Sequence, residues 1–209
     1  MKIALIGASG NIGRQIAQEA LRRHHTVTAI TRSTLPAELA AVQVAVAGAL
    51  DVPALTKAVR GHDVLASAFG PGTQSASLVP QVARALVAAA RAAGIKRLVV
   101  VGGAGSLNVA PGLQLLDAPG FPEMYEPYAI AHREALGILR EANDLDWTFF
   151  APAAEIGPGD KVGRFRTGTD SLISDAAGNS KISYADYADA FVTEIETGAH
   201  LKKLMTVAY

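Results

Sequence analysis

The 209-residue chain contains no cysteine. Disulfides, thiolate nucleophiles and cysteine-ligated metals therefore lie outside its chemistry, and a disulfide-stapled secreted scaffold is excluded. It also lacks a surplus of either charge, since 19 basic and 19 acidic side chains give a formal net charge of zero. A chain without a broad field of one sign is not built to hold a polyanion. Neither nucleic acid nor a membrane surface is an expected partner. No apolar run is long enough to span a bilayer, and the longest Ala/Val/Leu stretch, Val82 to Ala93, is broken by Arg84 and Arg91. The opening residues Met1 to Gly7 are too short an apolar segment for a signal-peptide core. A cytoplasmic protein is the expectation. The histidines offer no metal site, because His24 and His25 are adjacent and isolated from acids, and His62 and His200 sit in turn-like contexts.

What is present is organised around one stretch. Lys2 to Ile6 is apolar enough for a buried strand, Gly7-Ala8-Ser9-Gly10-Asn11-Ile12-Gly13 follows, and Arg14 to Arg23 is amphipathic. Strand, tight turn and helix are implied. Gly7 takes the turn, Gly10 allows close approach of a ligand, and Gly13 lets the helix pack on the strand. The helix start points free N–H groups and a positive dipole end at the loop, an arrangement suited to a pyrophosphate. These seven residues are the expected phosphate-facing part of a dinucleotide site.

Half of the residues are apolar, enough for a substantial core, and the length fits one domain over 1–209. Strand and helix patterns alternate. Thr26–Ile30 reads as a second strand, Gln43–Val46 as a third and Asp63–Gly70 as a fourth with its exit. Helices are expected at Pro53–Arg60 and Leu78–Ala93, the latter with Ser75 or Ser77 as N-cap and Gly94 as its stop. Arg97–Val101 is uninterrupted and apolar, as a central parallel strand covered on both faces should be. Such alternation implies an α/β fold, a doubly wound parallel sheet with helices on both faces and right-handed crossovers.

The end of the second strand carries a specificity signal. A site for NAD places an acid there to accept from the ribose 2′-hydroxyl. No acid lies between Thr26 and Ala37, and Arg32 stands where a guanidinium can pair with a 2′-phosphate. NADP(H) is therefore expected over NAD(H). Leu50 and Asp51 lie where an adenine would sit. Asp51 suits the adenine amino group and equally suits capping of the helix at Pro53. Ser67, Ala68, Phe69 and Gly70 keep the exit of the fourth strand open for a cofactor.

Leu107 to Pro127 breaks the pattern with four prolines and two glycines. A loop of that length in a compact domain suggests a flap over the site. Leu113, Leu115, Leu116, Phe121, Met124 and Tyr125 either line a pocket for a flat or apolar substrate or seal the edge of the fold. A helix over Tyr128–Ala142 and a strand over Asp146–Phe150 follow. Residues from about 151 to 209 are expected to add a small substrate-side lobe, with a helix from near Ala185, capped by Ser183 and Asp186, and a strand over Leu204–Val207. Glu155 either faces the pocket or is solvated, and Lys161, Arg164 and Arg166 either meet an anion or form a solvated face.

Gly7-x-x-Gly10-x-x-Gly13, the exit Gly102-Gly-Ala-Gly-Ser-Leu107, Leu145-Asp-Trp-Thr-Phe with Pro152, and Ile182-Ser-Tyr-Ala-Asp186-Tyr-Ala together resemble an atypical short-chain dehydrogenase/reductase. The resemblance extends over nearly the whole chain. It is nearest to the subgroup provisionally named NADH–flavin reductases, beside the NmrA-like and biliverdin-reductase-B-like proteins. It implies a Rossmann core and an NAD(P)-dependent oxidoreductase. The superfamily uses a serine after the fifth strand and a Tyr-x-x-x-Lys pair. Here the serine position falls in Gly102-Gly103-Ala104, and the pair is Tyr128-Ala-Ile-Ala-His132. A spacing of four puts Tyr128 and His132 on one helix face, but histidine supplies no permanent cation.

Three readings follow. In the first, NADPH reduces a small flat acceptor such as a flavin or quinone. Ser67, Ala68, Phe69, Gly102, Gly103 and Pro152 then surround the nicotinamide, His132 meets its ribose, and Tyr128 or Ser106 is an optional proton donor. In the second, the protein is a non-catalytic NADP(H)-sensing regulator of the NmrA type. In the third, it is an epimerase- or dehydratase-like enzyme, a chemistry that normally needs an intact Tyr and Lys. A monomer or homodimer is expected.

Overall fold

The computed structural model describes every residue except Ser33. Its elements, in order, are β1 (Lys2–Ile6), α1 (Asn11–Arg22), β2 (Thr26–Thr31), β3 (Gln43–Val46), α2 (Val52–Val59), β4 (Val64–Ser67), α3 (Leu78–Ala93) and β5 (Arg97–Val101). There follow β6 (Asn108–Ala110), β7 (Leu113–Gln114), α4 (Glu126–Glu141), β8 (Asp146–Ala151), β9 (Glu155–Gly157), β10 (Arg166–Gly168), β11 (Lys181–Ser183), α5 (Tyr184–Thr197) and β12 (Lys203–Ala208). The main sheet has the strand order β10-β12-β8-β5-β4-β1-β2-β3. It is parallel throughout except for β10, which runs antiparallel to β12.

The strands separate two apolar layers because successive side chains point to opposite faces. Ala4 and Ile6 of β1 and Leu98 and Val100 of β5 pack into the layer under α2, α3 and α4. Ile3, Leu5, Val99 and Val101 pack into the layer under α1 and α5. Burial on both faces explains why β1 and β5 read as unbroken apolar runs. In the second layer Phe150 stacks on Phe191 at 5.9 Å between ring centres, and the Tyr187 hydroxyl donates to the Phe150 carbonyl.

The ends of the helices follow local chemistry. Gly94 closes α3 in the left-handed region at φ +76°, where a side chain would be strained. Neither expected serine caps α3 through its side chain, because the Ser75 hydroxyl accepts from the Ser77 N–H instead. Ser183 caps α5 by accepting from the Asp186 N–H at 3.0 Å.

Asp186 does more than sit in a cap. Its buried carboxylate accepts from the N–H groups of Val162 and Gly163 and from the hydroxyls of Ser183 and Tyr209. These donors hold its pKa below the ordinary carboxylate value against the opposing effect of burial. The residues after 150 therefore divide into two parts. β10, α5 and β12 complete the sheet and its second layer, while the β9–β11 pair, beside the loop held by Asp186, lies outside the sheet.

Two charged networks join elements at the end of the sheet where β1 and β5 begin. Arg97, Thr148 and His200 all bond the Glu194 carboxylate, which is 2% exposed. Arg23 bonds Glu19, Asp189 and Glu196, tying α1 to α5. Lys161 joins this second network through Glu19 and Asp189, and Arg166 bonds the carbonyls of Ser174 and Tyr209. Two of the three cations in the basic stretch are thus committed to the fold. No helix among the described residues is long and apolar enough to cross a membrane.

Candidate functional site

The chain leaves β1 for β2 on one side of the sheet and later returns to place β4 on the other side. The loops at the far ends of β1 and β4 diverge there, which opens a crevice at the switch point. Gly7 occupies the turn at φ +78°, and a Cβ on it would lie 2.4 Å from the Ala68 carbonyl oxygen. A Cβ on Gly13 would lie 2.0 Å from the Gly7 carbonyl oxygen. Both glycines are required by backbone contacts within the crevice wall. The Gly10 N–H donates to the Gly7 carbonyl at 3.0 Å, which closes the turn.

Gly10 is also the extended N-cap of α1, with no side chain bonded to the cap and no acid in the first turn. The N–H groups of Asn11, Ile12 and Gly13 therefore emerge at a positive helix end that no capping side chain or first-turn acid occupies. Ser9, Gly10 and Asn11 are exposed, while the Ala8 side chain is buried in the second apolar layer and offers only its backbone. This arrangement fits a dinucleotide pyrophosphate.

Beside the loop, Arg32, Leu50, Asp51 and Phe69 line one crevice of about 420 Å³ together with Gly48 and Gln74. The Arg32 side chain runs across Gly48, whose added Cβ would meet its Cδ at 3.6 Å. Asp51 caps α2 by accepting from the Ala54 N–H at 3.0 Å, and it also lines the crevice. Gln74 has no sequence signal beyond lying in a glycine- and proline-rich turn.

On the other side of the loop an apolar cavity of about 440 Å³ opens. Gly103, His132 and Pro152 belong to its inner wall, Tyr128 and Ala129 of α4 to a second wall, and Leu115, Phe121 and Tyr125 to a third. The segment expected to be a flap is thus a wall of this cavity. It folds as the β6–β7 hairpin and two short 3-10 turns, Leu115–Asp117 and Glu123–Tyr125. Leu113 and Met124 do not line the cavity, and Leu116 turns inward beneath Gly105. Glu155 reaches the rim, where it pairs with Lys181 at 3.0 Å.

Tyr128 and His132 share one face of α4, as their spacing requires, and both reach the cavity. His132 packs edge-on to Phe149 and lies against Gly103, where an added Cβ would meet its Cβ at 3.1 Å. One edge of the ring is open to the cavity, while its Nδ1 is enclosed and has no hydrogen-bond partner. Loss of water around the ring lowers its pKa to about 4. At neutral pH it is an uncharged imidazole, so no cation stands where the superfamily has lysine.

The structure brings most of the remaining expected residues together. Ser67 is buried, with its hydroxyl accepting from the Phe69 N–H at 3.3 Å, and it shares a small void with Phe69 and His132. Ala68 forms the contact with Gly7, and Gly70 lies exposed at the strand exit. Gly102 is needed for packing, because a Cβ there would lie 2.1 Å from the fully buried Phe149 ring. Ser106 is not brought to the cavity. It is 1% exposed and its hydroxyl has no partner. The 3-10 turn Ala104–Ser106 carries its side chain under the surface, which the sequence did not signal.

Comparison with known proteins agrees with this geometry. A model of the family described as NAD(P)H-binding matches residues 7–197. A crystal structure from Burkholderia pseudomallei, provisionally named an exported protein, is 55% identical with a TM-score of 0.95, over 100% of both chains. One from Bacteroides thetaiotaomicron, provisionally named an epimerase, is 38% identical with a TM-score of 0.92, over 100% of this chain and 96% of the other. One from Streptococcus pneumoniae, provisionally named an NADH-flavin reductase, is 35% identical with a TM-score of 0.90, over 100% and 99%. With its glycine loop, switch-point crevice and atypical short-chain dehydrogenase-like Rossmann sheet, the chain belongs to the NAD(P)H-binding family.

Proposed function

We propose that the protein is a reductase that prefers NADPH and passes hydride to a small flat acceptor such as a flavin or quinone. One observation carries this reading. Gly103 and Pro152, two of the six residues expected around the nicotinamide, and His132, expected at its ribose, also form the inner wall of the 440 Å³ apolar cavity. A cavity of that size and character suits a small planar ligand.

The bound dihydronicotinamide supplies the hydride. The protein's own groups do the rest. The free N–H groups at the start of α1 hold the pyrophosphate, and Arg32 pairs with the 2′-phosphate. The uncharged His132 imidazole meets a ribose hydroxyl at its cavity edge. The apolar walls from α4 and the proline-rich segment orient the acceptor and exclude water. Tyr128 holds a proton at its phenol oxygen within the cavity, and water at the mouth is the other proton source. Ser106 has no part in this scheme. Epimerase chemistry receives less support, because the fixed cation beside the tyrosine is absent. We place the protein in the cytoplasm, as a monomer or homodimer with no nucleic-acid or membrane partner.

Calorimetric titration with NADPH and NADH, followed by NADPH oxidation assays over several flavins and quinones, tests the reading. Tighter NADPH binding and acceptor-dependent oxidation are expected. Tight NADPH binding with no oxidation over the whole acceptor set would overturn the enzyme and leave an NADP(H)-sensing regulator.

A further inference from the structure

The cavity wall carries information about which acceptors can enter. No lysine or arginine lines it, and its titratable side chains are Tyr125, Tyr128, His132 and Glu155. Two are phenols and His132 is uncharged at neutral pH. Only Glu155, at the rim, is a carboxylate. Two cations of adjoining segments are already engaged: Arg133 on Asp117 at 2.8 Å, and Lys181 on Glu155 itself at 3.0 Å. Around the His132 imidazole, Gly103, Pro152 and Ala153, with Ala129 of α4, present hydrocarbon and backbone.

An anion on the ring of a ligand would lose water in this cavity and find no counter-charge. Desolvation of an unpaired charge is strongly unfavourable. At the entrance Glu155 and Lys181 neutralise each other, so the rim adds no attraction for an anion.

We infer that the cavity selects uncharged planar ring compounds and rejects those bearing a negative charge on the ring, such as sulfonates and carboxylates. This deepens the reductase reading and rests on its assignment of the cavity as the acceptor site. It separates uncharged quinones and phosphate-free flavin rings from keto acids and nucleotide-linked sugars.

The test uses a redox-inert pair, so it does not depend on turnover. Binding of 2-naphthol and of naphthalene-2-sulfonate to the NADPH-saturated full-length protein, whose dihydronicotinamide ring is uncharged, is measured by calorimetry. The sulfonate is expected to bind about tenfold or more weakly. Phe121→Lys, which puts a cation into a solvent-accessible part of the wall, should narrow the gap. Equal affinities, tighter sulfonate binding, or no binding of either compound would overturn the inference. NADPH oxidation with 1,4-naphthoquinone and its 2-sulfonate separates this result from the reductase reading. The sulfonate is the more electron-poor acceptor, so faster turnover of the uncharged quinone would reflect the cavity and not intrinsic reactivity. Equal turnover of both would sink the charge selection and leave the reductase. The expected binding difference without turnover of either quinone would sink the reductase and leave the charge selection.

Discussion

His132 makes a prediction about stability that follows from its surroundings alone. Its pKa of about 4 in the folded protein lies below the value of 6.5 for an exposed imidazole. As pH falls below 6.5 the unfolded chain gains a proton here that the folded chain does not take up until pH approaches 4. The stabilisation is therefore complete above pH 6.5 and is lost as pH falls through the folded value. Linkage gives a loss of at most about 2 kcal/mol by pH 5 and about 3 kcal/mol by pH 4. The open cavity edge makes these upper values. His132→Leu has similar volume, removes the titration and leaves no enclosed nitrogen without a partner. Urea unfolding of both proteins at pH 7, 5.5 and 4 should show curves that diverge, with the wild type losing more. Parallel stability curves would refute the enclosure of this ring. Because Nδ1 has no partner in the folded protein, Leu should cost little at pH 7.

Other perturbations probe separate parts of the molecule. Arg32→Ala should weaken NADPH binding about 5- to 30-fold, as expected for loss of one charge-assisted pair at an exposed side chain, and leave NADH nearly unchanged. Equal losses in a titration would remove the 2′-phosphate assignment. Gly13→Ala forces a methyl group against the Gly7 carbonyl, so it should lower stability by about 1–3 kcal/mol and weaken both cofactors together. A variant with unchanged melting and affinity would contradict that contact. Glu194→Ala strands the Arg97 guanidinium and should cost about 3–5 kcal/mol in denaturant unfolding. Cofactor affinity should survive this change under folding conditions, since the pair lies at the opposite end of the sheet from the glycine loop.

The elements legible in the sequence are those whose signal is local. α3 and β5 have the expected boundaries, because a glycine stop and an unbroken apolar run specify them without reference to neighbours. The glycine loop was legible because the turn at Gly7 and the helix packing at Gly13 each demand a residue without a side chain. The β9–β11 pair was not legible, since its strands are three residues each and lie far apart in the chain. The Leu107–Pro127 segment read as irregular because its hairpin and 3-10 turns are too short to show a period. Burial of Ser106 and enclosure of His132 depend on which residues the fold sets against them. Asp186 read as part of a helix cap, and nothing local announced Tyr209 and the 162–163 backbone as further donors.

From Asn108 to Tyr125 only Leu116 is buried, yet this stretch supplies a whole wall of the cavity. The residues facing the cavity here carry little responsibility for folding, whereas α3, β5 and the Glu194 network carry much of it. Exchange of this segment around a fixed Leu116 should therefore reshape the cavity while leaving the glycine loop and the sheet alone.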